Sequence, residues 1–323
     1  YNSLSDYKRK NKIRTCMRLI LTIFIRLFYC SISSAQDSCL PQCNIPVKII
    51  MLSSGKMAYT EKGKGQAILF IHGLGGNLSH WTKTMDELSN NYCCIAIDLP
   101  GYGWSEKLSE TKGNQQLQFY ADALNEFIKK KKINKPILAG HSMGGQVAII
   151  TALQNKNIQK LILVSSAGLE TFSEKEAQLL IAATPAAVFE KQDETVIRNN
   201  FKLNFFKQPE ETEQLIQDRL SIKKCSDFKL YCESVSAGVR GMLAHPVKDS
   251  LKYLTMPVLI IAGADDALIP NRYLHPSLKI ENLVKESAAL IPGCKIEIIE
   301  QAGHLLQFEK YKETSLAIKN FIQ

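Results

Sequence analysis

The sequence predicts an α/β fold with a mostly parallel central sheet, helices on both faces and a helical cap inserted after the sixth strand. Apolar strand-like runs alternate with helical segments up to about residue 165, which is typical of a parallel sheet. Strand-like runs then stop until about residue 250, and helical periodicity replaces them. The 323 residues, 45% of them hydrophobic, suffice for one large domain with a cap or for two small domains.

Two short strands come first, at residues 47–51 and 56–59, on either side of a Ser-Ser-Gly turn. After them strands and helices alternate, so these later strands are expected to run parallel. In chain order these elements are a strand at 67–72, a helix around 81–88, a strand at 92–98, a helix at 117–130, a strand at 136–140, a helix after Ser142 and a strand at 161–165.

The cap is predicted at residues 166–250, between a first core part at 36–165 and a second core part at 251–323. Pro185 and Pro209 divide the cap into short helices, because proline interrupts a helix. Its apolar side chains either line an acyl pocket or only fasten the cap to the core, and both alternatives stay open. Helical periodicity covers residues 174–183, 194–206 and 211–222.

Residues 140–145 read Gly-His-Ser-Met-Gly-Gly, between an apolar strand and an apolar helix. Small residues two positions either side of Ser142 let the backbone turn sharply and present the hydroxyl at the apex. This is the G-x-S-x-G nucleophile elbow in the strand–turn–helix context that gives the motif its meaning. Ser142 is therefore the predicted nucleophile, although the motif alone also fits an ordinary glycine-rich connection.

A second glycine-rich turn, His-Gly-Leu-Gly-Gly at residues 72–76, follows the strand at 67–72. Glycines allow backbone N–H groups to face a small cavity without intervening side chains. The N–H of Leu74 and that of Met143, the residue after the nucleophile, are predicted to form an oxyanion hole.

Two loops late in the chain carry the groups that could activate Ser142. Asp265 and Asp266 follow an apolar strand, and a carboxylate there can orient and stabilise an imidazolium. His304 follows the strand at 295–299, where a general base could reach the serine. Physical reasoning from the residues leaves both aspartates open as the acid.

With its elbow, its glycine turn and the chain order Ser, Asp, His, the sequence resembles the α/β-hydrolase superfamily, specifically its capped esterase and lipase-like branch. The resemblance runs from about residue 47 to the C-terminus and includes the block Asp-Leu-Pro-Gly-Tyr-Gly-Trp-Ser at 98–105, which we interpret as structural. The resemblance implies that Asp266, and not Asp265, is the acid, because relatives have the sequence G-x-x-D-x-x-x-P in the loop after this strand. Some relatives carry the acid after the sixth strand, where Glu170 is a less convincing alternative.

The resemblance implies a serine hydrolase that cleaves carboxylic esters, with lipid-like or other apolar acyl groups, through an acyl-enzyme. Monoacylglycerol lipase-like and carboxylesterase relatives are the most similar. Carbon–carbon bond hydrolases, lactonases and thioesterases are alternatives on the same fold, and a non-catalytic receptor-like protein is the alternative of another class. We call the glycine-rich turn at residues 72–76 the oxyanion turn. His72 is expected to brace this turn, and His141 is expected to point away from the substrate side.

The formal net charge of +9 is concentrated at the N-terminus. Residues 1–35 hold seven Lys or Arg and one Asp, whereas the remainder holds 33 basic and 30 acidic residues, so no nucleic-acid partner is expected. No histidine pair has a spacing such as H-E-x-x-H, so neither a metal nor a cofactor is expected. The expected partner is a small-molecule ester, with association to a lipid or membrane surface as an option, and the oligomeric state stays open.

Residues 1–35 have the order of a secretory signal peptide: a basic region, an apolar region and a small-residue region ending at Ala35. Export to the periplasm or the medium is therefore predicted, with a retained membrane anchor or a cytoplasmic tail as the alternatives. Met17 is a plausible start, which would make residues 1–16 upstream translation. In an exported protein a small loop disulfide between Cys39 and Cys43 is an option, and whether the two are bonded stays open, whereas Cys93 and Cys94 are expected to be free thiols.

Overall fold

The computed structural model describes residues 39–323, and Pro41–Gln323 forms one compact unit. Eight strands form one sheet in the order β1-β2-β4-β3-β5-β6-β7-β8. The first two strands pair antiparallel with each other and with β4, and all other neighbours pair parallel. The strands are β1 (Val47–Leu52), β2 (Gly55–Lys62), β3 (Ala67–Ile71), β4 (Cys93–Ile97), β5 (Ile137–His141), β6 (Lys160–Val164), β7 (Val258–Gly263) and β8 (Lys295–Ile299).

The helices follow the predicted alternation with the strands. They are α1 (Thr82–Leu88), α2 (Gln116–Lys130), α3 (Met143–Gln154), α4 (Glu174–Ala183), α5 (Ala186–Glu190), α6 (Glu194–Lys202), α7 (Thr212–Ile222), α8 (Phe228–Ala244), α9 (Ile280–Ala289), α10 (Leu306–Glu309) and α11 (Tyr311–Ile322). Short 3-10 turns lie at Leu78–Trp81, Gly113–Gln115 and Lys248–Tyr253.

The central strands are buried on both faces, which explains why their sequences are almost continuously apolar. In β3, Leu69 belongs to one hydrophobic core and Ile68 and Phe70 to the other, because successive side chains of a strand point to opposite faces. Helices α2, α3 and α9 supply buried side chains to the first core. Helices α1 and α11 supply them to the second, so the sheet lies between two helical layers.

Helices α4 to α8 form the segment between β6 and β7, where the cap was predicted. The predicted helix at 194–206 ends earlier, at Lys202, and the chain turns before Phe205. The longest helix of this segment, α8, is absent from the three stretches predicted from periodicity. Its buried residues include Tyr231, Val235 and Gly238, so it fastens the cap to the core.

Cys39 and Cys43 are not bonded to each other, which decides the option that the sequence left open. Cys43 is a free thiol, whereas Cys39 and Cys225 are each disulfide-bonded. The Cys43 side chain packs, half-buried, against one hydrophobic core, and this burial raises the pKa of its thiol. Cys93 and Cys94 are free, as expected.

The predicted targeting segment, residues 1–35, lies outside the described residues. Among the helices of residues 39–323, none combines the length and the apolar character that a membrane crossing requires.

Candidate active site

Ser142 lies between the last residue of β5 and the first residue of α3. Its backbone has φ 52° and ψ −122°, a conformation that side-chain-bearing residues rarely adopt. Hydrogen bonds hold this turn, from Ser142 N–H to Val164 O (3.0 Å) and from Ala167 N–H to Ser142 O (3.0 Å). A Cβ atom at Gly140 or Gly144 would overlap backbone atoms, so the elbow needs glycine at both positions.

His304 and Asp266 are brought together by the loops after β8 and β7. The His304 Nδ1 and Asp266 Oδ2 atoms are 2.8 Å apart, and both side chains are almost fully buried. Asp266 Oδ1 also accepts hydrogen bonds from the N–H groups of Leu268 (2.8 Å) and Ile269 (3.0 Å). Burial opposes ionisation of Asp266, but the charge of His304 and these hydrogen bonds together lower its pKa below the ordinary value.

The structure distinguishes Asp266 from its two competitors. Asp265 is exposed, and its carboxylate has no hydrogen bond to His304 among the described residues. The Glu170 side chain instead contacts His275, with Oε1 2.5 Å from His275 Nδ1. His275 also lies 3.4 Å from a Glu176 carboxylate oxygen at the start of α4, so this second carboxylate–histidine cluster joins the cap to the loop after β7.

The two N–H groups predicted for the oxyanion hole have no acceptor among the described residues. Met143 begins α3, so its N–H is one of the first-turn donors that no intrahelical carbonyl can reach. Leu74 lies in the glycine turn after β3, where Gly76 N–H donates to Gly73 O (3.0 Å) and the Leu74 N–H makes no such bond. Stabilisation of an oxyanion requires free N–H donors, and both of these groups are free to serve as such.

Two buried histidines flank this turn. His72 Nδ1 donates to Gly73 O (2.8 Å) and its Nε2 accepts from Leu99 N–H (3.1 Å). Burial lowers the pKa of His72 to about 4, so the neutral ring braces the turn as expected. His141 departs from the expectation that it points away from the substrate side. It borders the same cavity as Ser142, and its Nε2 lies 3.0 Å from His304 O.

The block at 98–105 has the structural role predicted for it. Asp98 is buried, and its carboxylate accepts from the N–H groups of Leu78 and Trp104, each at 2.7 Å. Burial raises the pKa of Asp98 to about 7. The Ser105 hydroxyl donates to Asp98 O (2.7 Å), which fixes the loop beside the His72 turn.

Sequence reasoning missed two cap residues that contact the oxyanion turn. Arg219 of α7 and Tyr231 of α8 both donate hydrogen bonds to Gly75 O, the tyrosine at 3.0 Å. The Arg219 guanidinium also lies over the Tyr231 ring, 5.2 Å from its centroid. No local motif marks either residue, because the contact joins positions about 150 residues apart along the chain.

A cavity of about 590 Å³ lies between the cap and the core, bordered by Ser142, His304 and Leu74. Its walls expose mostly apolar surface, and polar side chains such as Gln146, Asn200 and Arg219 are interspersed among the apolar ones. The cap contributes Leu180, Ile197, Phe201, Leu203, Val239, Met242 and Leu243 to these walls. Within residues 39–323, no three His, Cys, Asp or Glu side chains are grouped so as to hold a metal ion.

The fold and the site define a class of α/β proteins in which a nucleophile elbow lies at the carboxyl edge of a parallel sheet. The family described as alpha/beta hydrolase fold matches residues 66–311 of this sequence, which is more than half of the chain. The chain belongs to the α/β-hydrolase family.

Several known proteins are similar to the chain. A dihydrolipoyllysine-residue acetyltransferase component of the acetoin cleaving system from Cupriavidus necator is 26% identical over 273 residues, 83% of this chain. The chain spans 66% of that relative's length. Lipase 3 from Moraxella sp. is 28% identical over 291 residues, which are 86% of this chain and 85% of the lipase.

Solved structures share the fold at lower sequence identity. A probable hydrolytic enzyme from Pseudomonas aeruginosa superposes with a TM-score of 0.78 at 22% identity, covering 88% of this chain and 96% of its own. A thermophilic esterase from Thermogutta terrifontis superposes with a TM-score of 0.68 at 22% identity, covering 86% of this chain and 98% of its own.

Proposed function

We propose that this protein is a serine hydrolase that cleaves carboxylic esters with apolar acyl groups. The observation that carries the proposal is the 2.8 Å contact between His304 Nδ1 and Asp266 Oδ2 beside a serine in a strained elbow. An ionised, buried Asp266 holds the imidazole in the tautomer that carries its proton on Nδ1. The other ring nitrogen, Nε2, is then free to accept a proton.

In the proposed reaction His304 Nε2 takes the proton of the Ser142 hydroxyl while the serine oxygen attacks the ester carbonyl carbon. The carbonyl oxygen becomes an oxyanion that the N–H groups of Leu74 and Met143 stabilise. His304 then gives the proton to the departing alcohol, which leaves an acyl-enzyme. A water molecule, deprotonated by the same nitrogen, releases the acid and restores the serine.

The Ser142 hydroxyl makes no hydrogen bond within the described part of the chain. Catalytic hydrogen bonds are often long before substrate binds and shorten in the reacting complex, so this geometry is compatible with the role. The apolar walls of the cavity support an acyl chain as the group bound next to Ser142. The similarity to a lipase over 86% of the chain also supports an ester with an apolar acyl group as the substrate.

The test is hydrolysis of p-nitrophenyl esters from acetate to palmitate by the wild type and by Ser142→Ala. We expect wild-type activity on esters and a loss of several orders of magnitude in the variant, because the triad acts as a unit. The preferred chain length would separate a small-ester enzyme from a lipase-like one. A folded Ser142→Ala that keeps wild-type turnover would refute the proposal.

Labelling with a fluorophosphonate separates the remaining alternatives. A wild type labelled at Ser142 but inactive on esters would indicate a related chemistry, such as lactone, thioester or carbon–carbon bond hydrolysis. A folded wild type that resists labelling would indicate a non-catalytic, ligand-binding member of the family. The proposal predicts both labelling at Ser142 and ester hydrolysis.

A further inference from the structure

The carbonyl oxygen of Gly75, in the turn that carries the Leu74 N–H, accepts hydrogen bonds from two side chains of the cap. We propose that Tyr231 and Arg219 are positioning residues that fix the oxyanion turn, so that the cap sets the efficiency of the chemical step. This inference rests on the proposed function, because it concerns the oxyanion hole of the same reaction.

The turn needs external support because glycine occupies so much of it. Gly75 has φ +68°, a left-handed conformation, and glycine backbones exchange readily between conformations. On the core side the His72 ring holds Gly73 O at 2.8 Å. On the other side Tyr231 and Arg219 hold Gly75 O, so the Leu74 N–H lies between two anchored carbonyl groups.

The cap also contacts the side chains of both predicted oxyanion residues. A Cβ atom at Gly238 of α8 would lie 2.8 Å from Leu74 Cδ1 and 3.0 Å from Met143 Sδ. Only glycine therefore lets α8 approach this closely without displacing either residue. The hydrogen bonds from the cap act on the Gly75 carbonyl, next in the chain to Leu74, whereas this contact acts on the side-chain ends of Leu74 and Met143. Helix α8 therefore contacts the backbone of the turn through Tyr231 and the side chains of both predicted oxyanion residues through Gly238.

The side chains of Tyr231 and Arg219 are both suited to keeping the Gly75 carbonyl in one position. Tyr231 is 1% exposed, and burial raises the pKa of its hydroxyl to about 12, so it remains a donor at neutral pH. Arg219 forms no ion pair with an aspartate or glutamate among the described residues, and its charge is directed at the Gly75 carbonyl and the Tyr231 ring. A charged donor to a carbonyl makes a stronger hydrogen bond than a neutral one.

Tyr231 is the better residue for a test because it does not border the cavity, whereas Arg219 does. Removing the Tyr231 hydroxyl should therefore leave substrate binding unchanged and affect only the transition state. Loss of one complete oxyanion donor lowers kcat by about 10²–10³. A misaligned donor keeps part of its effect, so about a tenfold decrease in kcat is expected.

The experiment measures kcat and KM of Tyr231→Phe on the best p-nitrophenyl ester, with Tyr253→Phe as the control at a tyrosine that is 62% exposed. We expect kcat to fall about tenfold, KM to stay within about twofold, and the control to match the wild type. A trifluoromethyl ketone, which forms a tetrahedral oxyanion adduct with the serine, should bind Tyr231→Phe more weakly in the same proportion as kcat falls.

Unchanged kcat and unchanged ketone affinity in folded Tyr231→Phe would overturn the inference while leaving the proposed function intact. A wild type without esterase activity or fluorophosphonate labelling would overturn both. If Tyr231→Phe does not fold, Arg219→Met and Arg219→Lys provide the same test. The lysine variant should recover most of the kcat that the methionine variant loses, and equal kcat in the two variants would overturn the inference.

Discussion

His80 offers a test of how strongly the interior of this protein opposes charge. The side chain is 8% exposed, and its Nδ1 atom has no hydrogen-bond partner among the described residues. Burial, with smaller contributions from His72 and Arg219, lowers the pKa of His80 to about 3. The substitution we consider is His80→Leu, which fills a similar volume with a side chain that cannot take up a proton.

Whether acid stabilises or destabilises the fold depends on which state, folded or unfolded, binds the proton first as the pH falls. The unfolded chain protonates His80 near pH 6.5, whereas the folded chain does so near pH 3. Acid therefore stabilises the unfolded state over this range, and the folded protein loses stability from about pH 6.5 downwards. With these two pKa values, proton linkage at His80 alone lowers the free energy of unfolding by about 2 kcal/mol at pH 5.

The assay is urea unfolding of the wild type and His80→Leu at pH 7.5 and pH 5.0. His72 remains in both proteins, so its own contribution cancels in the comparison. We expect the wild type to lose about 2 kcal/mol more than the variant between the two pH values. An identical pH dependence in wild type and His80→Leu would refute the reasoning.

Four further substitutions, one of them a control, test the site and its support. Asp266→Asn should lower kcat by about 10⁴ with the fold intact, whereas Asp265→Asn should stay near wild type; similar kcat values would contradict the role given to Asp266. Gly144→Ala should destabilise the fold by about 1–3 kcal/mol in urea unfolding, because its Cβ would overlap the His72 and Ile71 carbonyl groups. Trp81→Ala should cost about 3–5 kcal/mol, because this fully buried side chain packs 4.9 Å from Phe70 between ring centroids, and a smaller loss would indicate that the site collapses.

The fold was predictable because its signals are local. The central strands are short apolar runs bounded by turn residues, so the alternation of strands and helices could be read directly. The sharp turn at Ser142 was equally accessible, since it needs small residues at fixed distances along the chain. Helix α8 was harder to identify, because more than half of it is buried and its buried positions include polar residues such as Ser234 and Ser236.

The parts of the site that sequence reasoning missed depend on contacts between distant segments. Nothing near Arg219 or Tyr231 indicates that both meet Gly75, and nothing near His141 indicates the direction of its ring. The state of Cys39 was out of reach for the same reason: its short spacing to Cys43 left a small loop disulfide open, whereas in the structure Cys39 is bonded and Cys43 is free. Side-chain direction and long-range pairing are set by the assembled fold.

The backbone of Ser142 has a further consequence for how the sequence can change over generations. A side-chain-bearing residue at φ 52° and ψ −122° carries about 1–3 kcal/mol of strain, and glycine would relieve it. Mutation to glycine is thus expected to make the folded protein more stable while removing the proposed nucleophile. Selection for a stable fold would then favour glycine at this position, whereas selection for the proposed chemistry would favour serine. In descendants that no longer use the substrate, replacement of the serine by glycine would be expected.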